Sequence, residues 1–297
     1  MKEGKNFRIW GVRFGLGGDL CMALPILNYL ELKYPNSYRY WIISKKCSQF
    51  APLFFNHPLI DCIRITELLE DLGPRDIEIA KSCDLIFNVA PQHPPCPGLT
   101  VGIDNFWYNH YSCVQETWKM AGLKIEDFYN LPKELQKPKL NVWFDVEKFP
   151  KTLAIWNYAA YGREPKRSPS KEYWEKLYNL IIGETEFKIF RFGHPSEPYI
   201  QENNFIKDLR HLSFLEQVKL SVGCSVSITT NSGSGWVLGA YGVKQITLLT
   251  NDAPNHVSNL LAFQPENWAG NNISLLNSSS CDLIPQTDVL AAINQLK

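Results

Sequence analysis

The chain lacks the features that most often betray a biochemistry. Its eight cysteines (21, 47, 62, 83, 96, 113, 224 and 281) never form a C-x-x-C pair. That argues against a zinc site or a disulfide scaffold and for reduced thiols in a cytosolic protein. Charge of one sign is missing too: 30 Lys and Arg balance 30 Asp and Glu, so no basic field points to nucleic acid as a partner. No run approaches the roughly 18 apolar residues needed to span a bilayer. Arg8 and Arg13 interrupt the apolar start M-K-E-G-K-N-F-R-I-W-G-V-R-F, so no signal peptide is expected. A P-loop G-K-[S/T] is absent. His57, His93, His110 and His194 show no metal-ligand spacing, and no metal is expected.

What is present is an alternation of strands and helices. At 297 residues and 45% apolar content the chain can bury two cores of ordinary domain size. Phe7 to Phe14 reads as a strand, followed by Gly15-Leu16-Gly17-Gly18-Asp19 and a helix over Leu20–Lys33 with Pro25 in its opening turns. The dinucleotide pattern G-x-G-x-x-G fails because position 20 is leucine. Behind the glycine loop of Gly17 and Gly18 stands a carboxylate, Asp19. It is either a helix cap or a base presented at the carboxyl end of a central strand, where open α/β sheets put their ligands.

Short strands are expected at Tyr38–Ser44, Ile60–Ile65, Cys83–Val89 and Leu99–Ile103, with helices at Lys46–Phe55, Thr66–Leu72 and Arg75–Lys81. Pro91–Pro97 and Asp104–His110 are expected loops at strand ends, rich in groups that suit sugar hydroxyls. Asn130 to Phe149, with Pro132 and Pro138, reads as an edge strand or linker. A second series follows: strand Thr152–Tyr158, basic loop Ala159–Ser170, helix Lys171–Ile182, strand Phe187–Phe192, helix Ser213–Val222, strands Ser225–Thr229 and Lys244–Leu249, and helix Asp288–Leu296. Nine tryptophans serve either core packing or sugar stacking, which composition does not separate.

The stretch that draws most attention is Thr229–Tyr241, T-T-N-S-G-S-G-W-V-L-G-A-Y. A buried strand crosses a small-residue corner and enters an apolar helix. The unpaired N–H groups and positive dipole end of such a helix start hold anions, phosphate above all. The alternative is a serine N-cap on an ordinary turn.

Taken in order, these pieces resemble the lipopolysaccharide heptosyltransferases, glycosyltransferase family nine. The resemblance runs through Gly15–Leu27 (G-L-G-G-D-L-C-M-A-L-P-I-L), Asn56–Ile63 (N-H-P-L-I-D-C-I) and Lys166–Leu177 (K-R-S-P-S-K-E-Y-W-E-K-L). It continues through Gly193–Glu197 (G-H-P-S-E), Asn231–Trp236 (N-S-G-S-G-W) and Cys281–Leu290. Two positions depart from the pattern: Asn231 stands where the family has an acid, and Trp236 where it usually has histidine.

The resemblance implies an α/β, GT-B fold of two Rossmann-like parallel-sheet domains facing across a cleft. An acceptor-side domain is expected over 1–145 and a nucleotide-sugar domain over 151–284, with a closing helix at 285–297 reaching back toward the first domain. It implies an inverting, metal-independent transferase that moves a sugar from a nucleotide-diphosphate donor to a glycan or lipid-linked glycan acceptor. Asp19 would be the catalytic base. Arg163, Lys166, Arg167, Glu197, Asn231, Ser232, Gly233 and Ser234 would bind the donor, Glu197 through ribose hydroxyls. No cofactor beyond the nucleotide sugar is implied, and membrane contact is at most peripheral, at the inner face. A hydrolase or epimerase of the same fold, and a catalytically silent nucleotide-sugar binder, remain open beside it.

Overall fold

A computed structural model describes residues 7–13, 17–66, 74–88, 113–158, 167–250 and 270–297. The expected strand Leu99–Ile103, most of the expected helix Thr66–Leu72 and the loops Pro91–Pro97 and Asp104–His110 lie outside the described residues. The chain divides into two units, Met1–Asn141 and Val142–Lys297, with the boundary inside the proline-bearing stretch expected as a linker.

The first unit holds four parallel strands in the order β3-β2-β1-β4: β1 Phe7–Arg13, β2 Ser37–Ser44, β3 Cys62–Thr66 and β4 Leu85–Asn88. The helix expected as one piece is two, α1 Gly17–Met22 and α2 Leu24–Lys33. Pro25 explains the break. It sits at the start of α2, has no N–H to give the carbonyl of Cys21, and its ring crowds that carbonyl. Lys45–Phe54 winds as 3₁₀ rather than α-helix, with Pro52 inside it.

Among the described residues the unit also has α3 Pro74–Lys81, α4 Cys113–Met120 and α5 Ile125–Tyr129. The last two were not legible in the sequence, being short and only weakly periodic. Aromatic edges hold them in place: Trp118 meets Tyr29 of α2 at 5.1 Å and Phe128 at 5.3 Å, ring centre to ring centre.

The second unit is a six-stranded parallel sheet in the order β10-β9-β8-β5-β6-β7. Its strands are β5 Phe149–Trp156, β6 Lys188–Phe192, β7 Ile206–Asp208, β8 Cys224–Thr230, β9 Gln245–Thr250 and β10 Asn272–Asn277. Read from β7, this is the doubly wound order in which connections leave in opposite directions on either side of the β5–β8 border. Alternate residues of each strand go to opposite faces. Leu153, Ile155, Ile189, Val226, Ile228, Ile246 and Leu248 build one core with α6 (Lys171–Glu184) and α9 (Gln286–Leu296). The closing helix packs its apolar stripe of Val289, Ala292, Ile293 and Leu296 into the second unit's own core.

The other face carries Trp156, Phe192, Ser227 and Thr229, and receives α7 (Phe214–Gly223) and α8 (Gly233–Ala240). Trp156 fixes α7 by donating its indole N–H to Ser221 at 3.1 Å, with its ring 5.8 Å from that of Phe214. Both helix starts are capped. Ser170 accepts the amide of Tyr173 at α6, and Ser213 and Glu216 form a reciprocal capping box at α7.

Candidate functional site

In the second unit the two strands that border the reversal of connection, β5 and β8, end together. Trp156 pairs with Thr229, so Asn157 and Thr230 follow side by side. Here several buried polar atoms have no partner among the described residues: Asn157 Nδ2, Glu197 Oε2, and the hydroxyls of Thr229, Thr230 and, at the end of β9, Thr250. Buried polar groups are nearly always hydrogen-bonded in a finished protein. They lie at the carboxyl ends of β5, β8, β9 and in the β6 loop, the edge of an open α/β sheet where ligands bind.

The β8–α8 corner is the second component. Ser232 is the N-cap of α8, in extended backbone with its Oγ accepting the Gly235 amide at 3.5 Å, and it also meets Ser234 Oγ at 2.7 Å. The Trp236 amide already bonds the Ser232 carbonyl. The amides of Gly233 and Ser234 are therefore the ones the helix cannot satisfy itself. Gly235 is closely packed: a Cβ there would lie 3.0 Å from Thr229 Oγ1 and 3.3 Å from the Thr230 carbonyl. Asn231 is half-buried before the cap, and Trp236 is only 3% exposed. The side chain in the histidine position is thus buried.

The third component is Glu197. Its carboxylate folds back to accept the His194 amide on Oε1 at 2.9 Å, and it is buried. Arg191, fully buried on β6, stands 4.0 Å from Oε2 and also binds Asn157 Oδ1 at 3.3 Å, Asp208 Oδ2 at 3.3 Å and the Pro198 carbonyl. Arg210 grips both oxygens of Asp208 and donates to the Glu197 carbonyl at 2.6 Å. Tyr178 of α6 donates to the same Asn157 oxygen at 2.9 Å.

Burial pushes the Glu197 carboxyl up to about 7. The His194 amide and the two arginines oppose that rise only in part, and Asp208 adds to it. Asp208 goes the other way: burial would raise it, but the hydrogen bonds and charge of Arg210, helped by Arg191, hold it below its ordinary value.

A measurable consequence follows for Glu197. Because its folded value lies above 4.5, its contribution to stability is complete below about 4.5 and is lost as the pH rises through about 7. Denaturant titrations of the wild type and Glu197→Gln should show the wild type losing about 3 kcal/mol relative to the variant between pH 4.5 and pH 8. A constant difference across that range would mean the carboxyl is hydrated.

The remaining sequence candidates divide. Arg163 and Lys166 lie outside the described residues. Arg167 is half-buried, and its carbonyl accepts the Cys281 thiol at 3.5 Å. Gly17 and Gly18, expected in a loop, are instead the first residues of α1, and Asp19 falls in the same opening turn. The side chain of Asp19 lies outside what is described. Of the histidines, His93 and His110 are also outside, and His194 is exposed. His57 is structural: burial lowers it to about 4, against the pull of the Lys139 carbonyl, and its Nδ1 accepts the Leu59 amide at 3.3 Å. Among the described residues no three His, Cys, Asp or Glu side chains gather as for a metal ion, and no helix is long and apolar enough to cross a membrane.

The residues that sequence reasoning missed are Asn157, Arg191, Asp208, Arg210 and Gln217. A charged Arg191 within the apolar run K-I-F-R-F was the available signal.

At the level of whole structures the likeness is extensive. The chain matches the E. coli ADP-heptose LPS heptosyltransferase II with a TM-score of 0.66 at 17% identity, covering 98% of each chain. A glycosyl transferase family 9 structure from Veillonella parvula matches with a TM-score of 0.69 at 13% identity, over 98% of this chain and 97% of that one. The chain has the GT-B fold of the family-nine glycosyltransferases. The E. coli heptosyltransferase WaaC, solved with ADP, shares this family-nine fold with a TM-score of 0.61 at 11% identity, over 97% of both chains. No family model and no curated protein matches the sequence itself.

Proposed function

We propose that the chain is an inverting glycosyltransferase. It moves a sugar from a nucleoside-diphosphate donor to a hydroxyl of a glycan or lipid-linked glycan, needs no metal, and works in the cytoplasm with at most peripheral contact at the inner membrane face. The observation that carries this reading is the set of unpartnered buried polar atoms at the carboxyl ends of β5, β8 and the β6 loop, beside the start of α8. The family-nine fold supports it, and one neighbour with that fold was solved with ADP.

In this reading the second unit holds the donor. The amides of Gly233 and Ser234 and the dipole of α8 face the diphosphate, where negative charge grows as the sugar–oxygen bond breaks. Ser232, Asn231 and the cations Arg163, Lys166 and Arg167 supplement them. Glu197 Oε2 accepts from the ribose hydroxyls. The first unit supplies Asp19, which takes the proton of the acceptor hydroxyl as its oxygen attacks the anomeric carbon. A single displacement of that kind inverts the anomer. Domain limits of 1–145 and 151–284 belong to the same proposal.

Binding is tested first. A diphosphate at about 100 times its dissociation constant should add roughly 2.7 kcal/mol of stability. A thermal-shift panel of ADP, GDP, UDP and CDP is expected to show a clear shift with at least one, and a flat response to all four removes the reading. A second reading, a nucleotide-sugar binder that transfers nothing, is favoured by Asn231 and by the burial of Trp236. Labelled donor incubated with and without acceptor separates the two, and sugar release without acceptor would instead indicate hydrolysis.

A further inference from the structure

Gln217 is a buried polar side chain on α7, and two of its four hydrogen bonds go to one residue, Gly193. Its Oε1 accepts the Gly193 amide at 2.8 Å, while its Nε2 donates to the Gly193 carbonyl at 3.1 Å, to the Leu212 carbonyl at 2.8 Å and, at the long limit of 3.5 Å, to the Arg210 carbonyl. The side-chain amide therefore pairs with Gly193 at both ends, as a neighbouring strand would, just past the last residue of β6. Only one orientation of the amide satisfies one donor and these carbonyls at once, so the assignment of its oxygen and nitrogen is fixed.

Gly193 is itself unusual. Its φ of +136° is a conformation that side chains rarely adopt, and a Cβ there would lie 2.4 and 2.5 Å from the two carboxylate oxygens of Glu197. The carboxylate thus occupies the space that any other residue at 193 would fill. The geometry points to a relay: Gln217 locks the Gly193 peptide, the bare α-carbon of Gly193 seats the Glu197 carboxylate, and that seat presents Oε2, which is buried and without a partner. We infer that Gln217 is the positioning residue for ribose recognition, acting through Gly193 on Glu197. The inference rests on the proposed role of Glu197 as the acceptor of ribose hydroxyls.

The readout must be one that loosened packing alone would not move. Isothermal titration of the wild-type chain at pH 8.5, where Glu197 is ionised, with ADP and with 2′,3′-dideoxy-ADP is expected to show a preference of about 10- to 100-fold for the hydroxylated ligand, the value of hydrogen bonds to a charged acceptor. Where the thermal panel selects GDP, UDP or CDP, that diphosphate and its dideoxy counterpart replace the pair. Gln217→Met removes all four bonds and should collapse the preference to within about threefold. The affinity for the dideoxy ligand should stay nearly constant, because its phosphate contacts are untouched.

Gln217→Glu keeps only the acceptor and should do the same. Gly193→Ala, which evicts the carboxylate directly, should reproduce the effect and carries the test if neither Gln217 variant folds. An equal loss of affinity for both ligands, or an undiminished preference, overturns the positioning role. A wild type that binds both ligands alike overturns this inference while leaving the diphosphate site standing. Failure of all four diphosphates to bind removes the function and the inference together.

Discussion

Asp19→Asn is expected to lower turnover by about 10²- to 10⁴-fold while leaving the affinity for nucleoside diphosphate within about twofold of the wild type. The amide is nearly the same size as the carboxylate but cannot take a proton, so the acceptor hydroxyl would attack without a base. The fold should tolerate the change. Residue 19 lies in the opening turn of α1, where losing a negative charge costs only about 0.3–1 kcal/mol of favourable interaction with the helix dipole. Donor affinity should hold because, in the proposed division of labour, the diphosphate is bound by the second unit. Steady-state rates with labelled donor, together with calorimetric dissociation constants, separate the two effects. Turnover within about threefold of the wild type would remove Asp19 as base, and a matching loss of affinity would make it a binding residue instead.

Arg191→Met is expected to cost about 3–5 kcal/mol, the penalty for removing one partner from a buried ionic network. Methionine fills much of the same space, so the loss is chiefly electrostatic. Asp208 keeps Arg210, with Nη2 at 2.7 Å, and suffers little. Glu197 loses the guanidinium that stands 4.0 Å from its otherwise unpartnered oxygen, and Asn157 and the Pro198 carbonyl each lose a donor. Without that charge Glu197 should hold its proton still more tightly. The penalty should therefore be smallest near pH 5, where the wild-type carboxyl is protonated too, and grow as the pH passes about 7. Equilibrium unfolding at several pH values tests this, and a cost below about 1 kcal/mol, or one independent of pH, would show that Arg191 is not the counter-charge of Glu197.

Much of the architecture was legible because it rests on periodicity. Val226, Ile228, Ile246 and Leu248 alternate as strands buried on a sheet face should, and α6 shows its stripe of Tyr173, Trp174, Leu177, Tyr178 and Ile181 plainly. What escaped was short or determined by contacts distant in sequence. The strand β7 has only three residues and is defined by its pairing with β6. The helices α4 and α5 depend on Trp118 and Phe128 packing together.

The site divides along the same line. Ser232 announced itself as a cap because capping is a local transaction between a side chain and an amide three residues on. Glu197 was nameable from its motif, but not its burial, which raises its pKa against the opposing pull of the His194 amide, Arg191 and Arg210 and with a smaller push from Asp208.

By itself, the sequence determined the order of the elements, the glycine and serine corners between them and the identity of the chemically useful side chains, since these follow from short-range sterics and hydrogen bonding. Only the tertiary structure decided that Gln217, twenty-four positions from Gly193 along the chain, would close on that glycine's peptide. It also decided that Trp236 would enter the core and that a few hydroxyl, amide and carboxylate atoms would end up dry and unpaired around one corner. Those outcomes depend on desolvation and on strand order, which are properties of the assembled sheet and not of any segment of it.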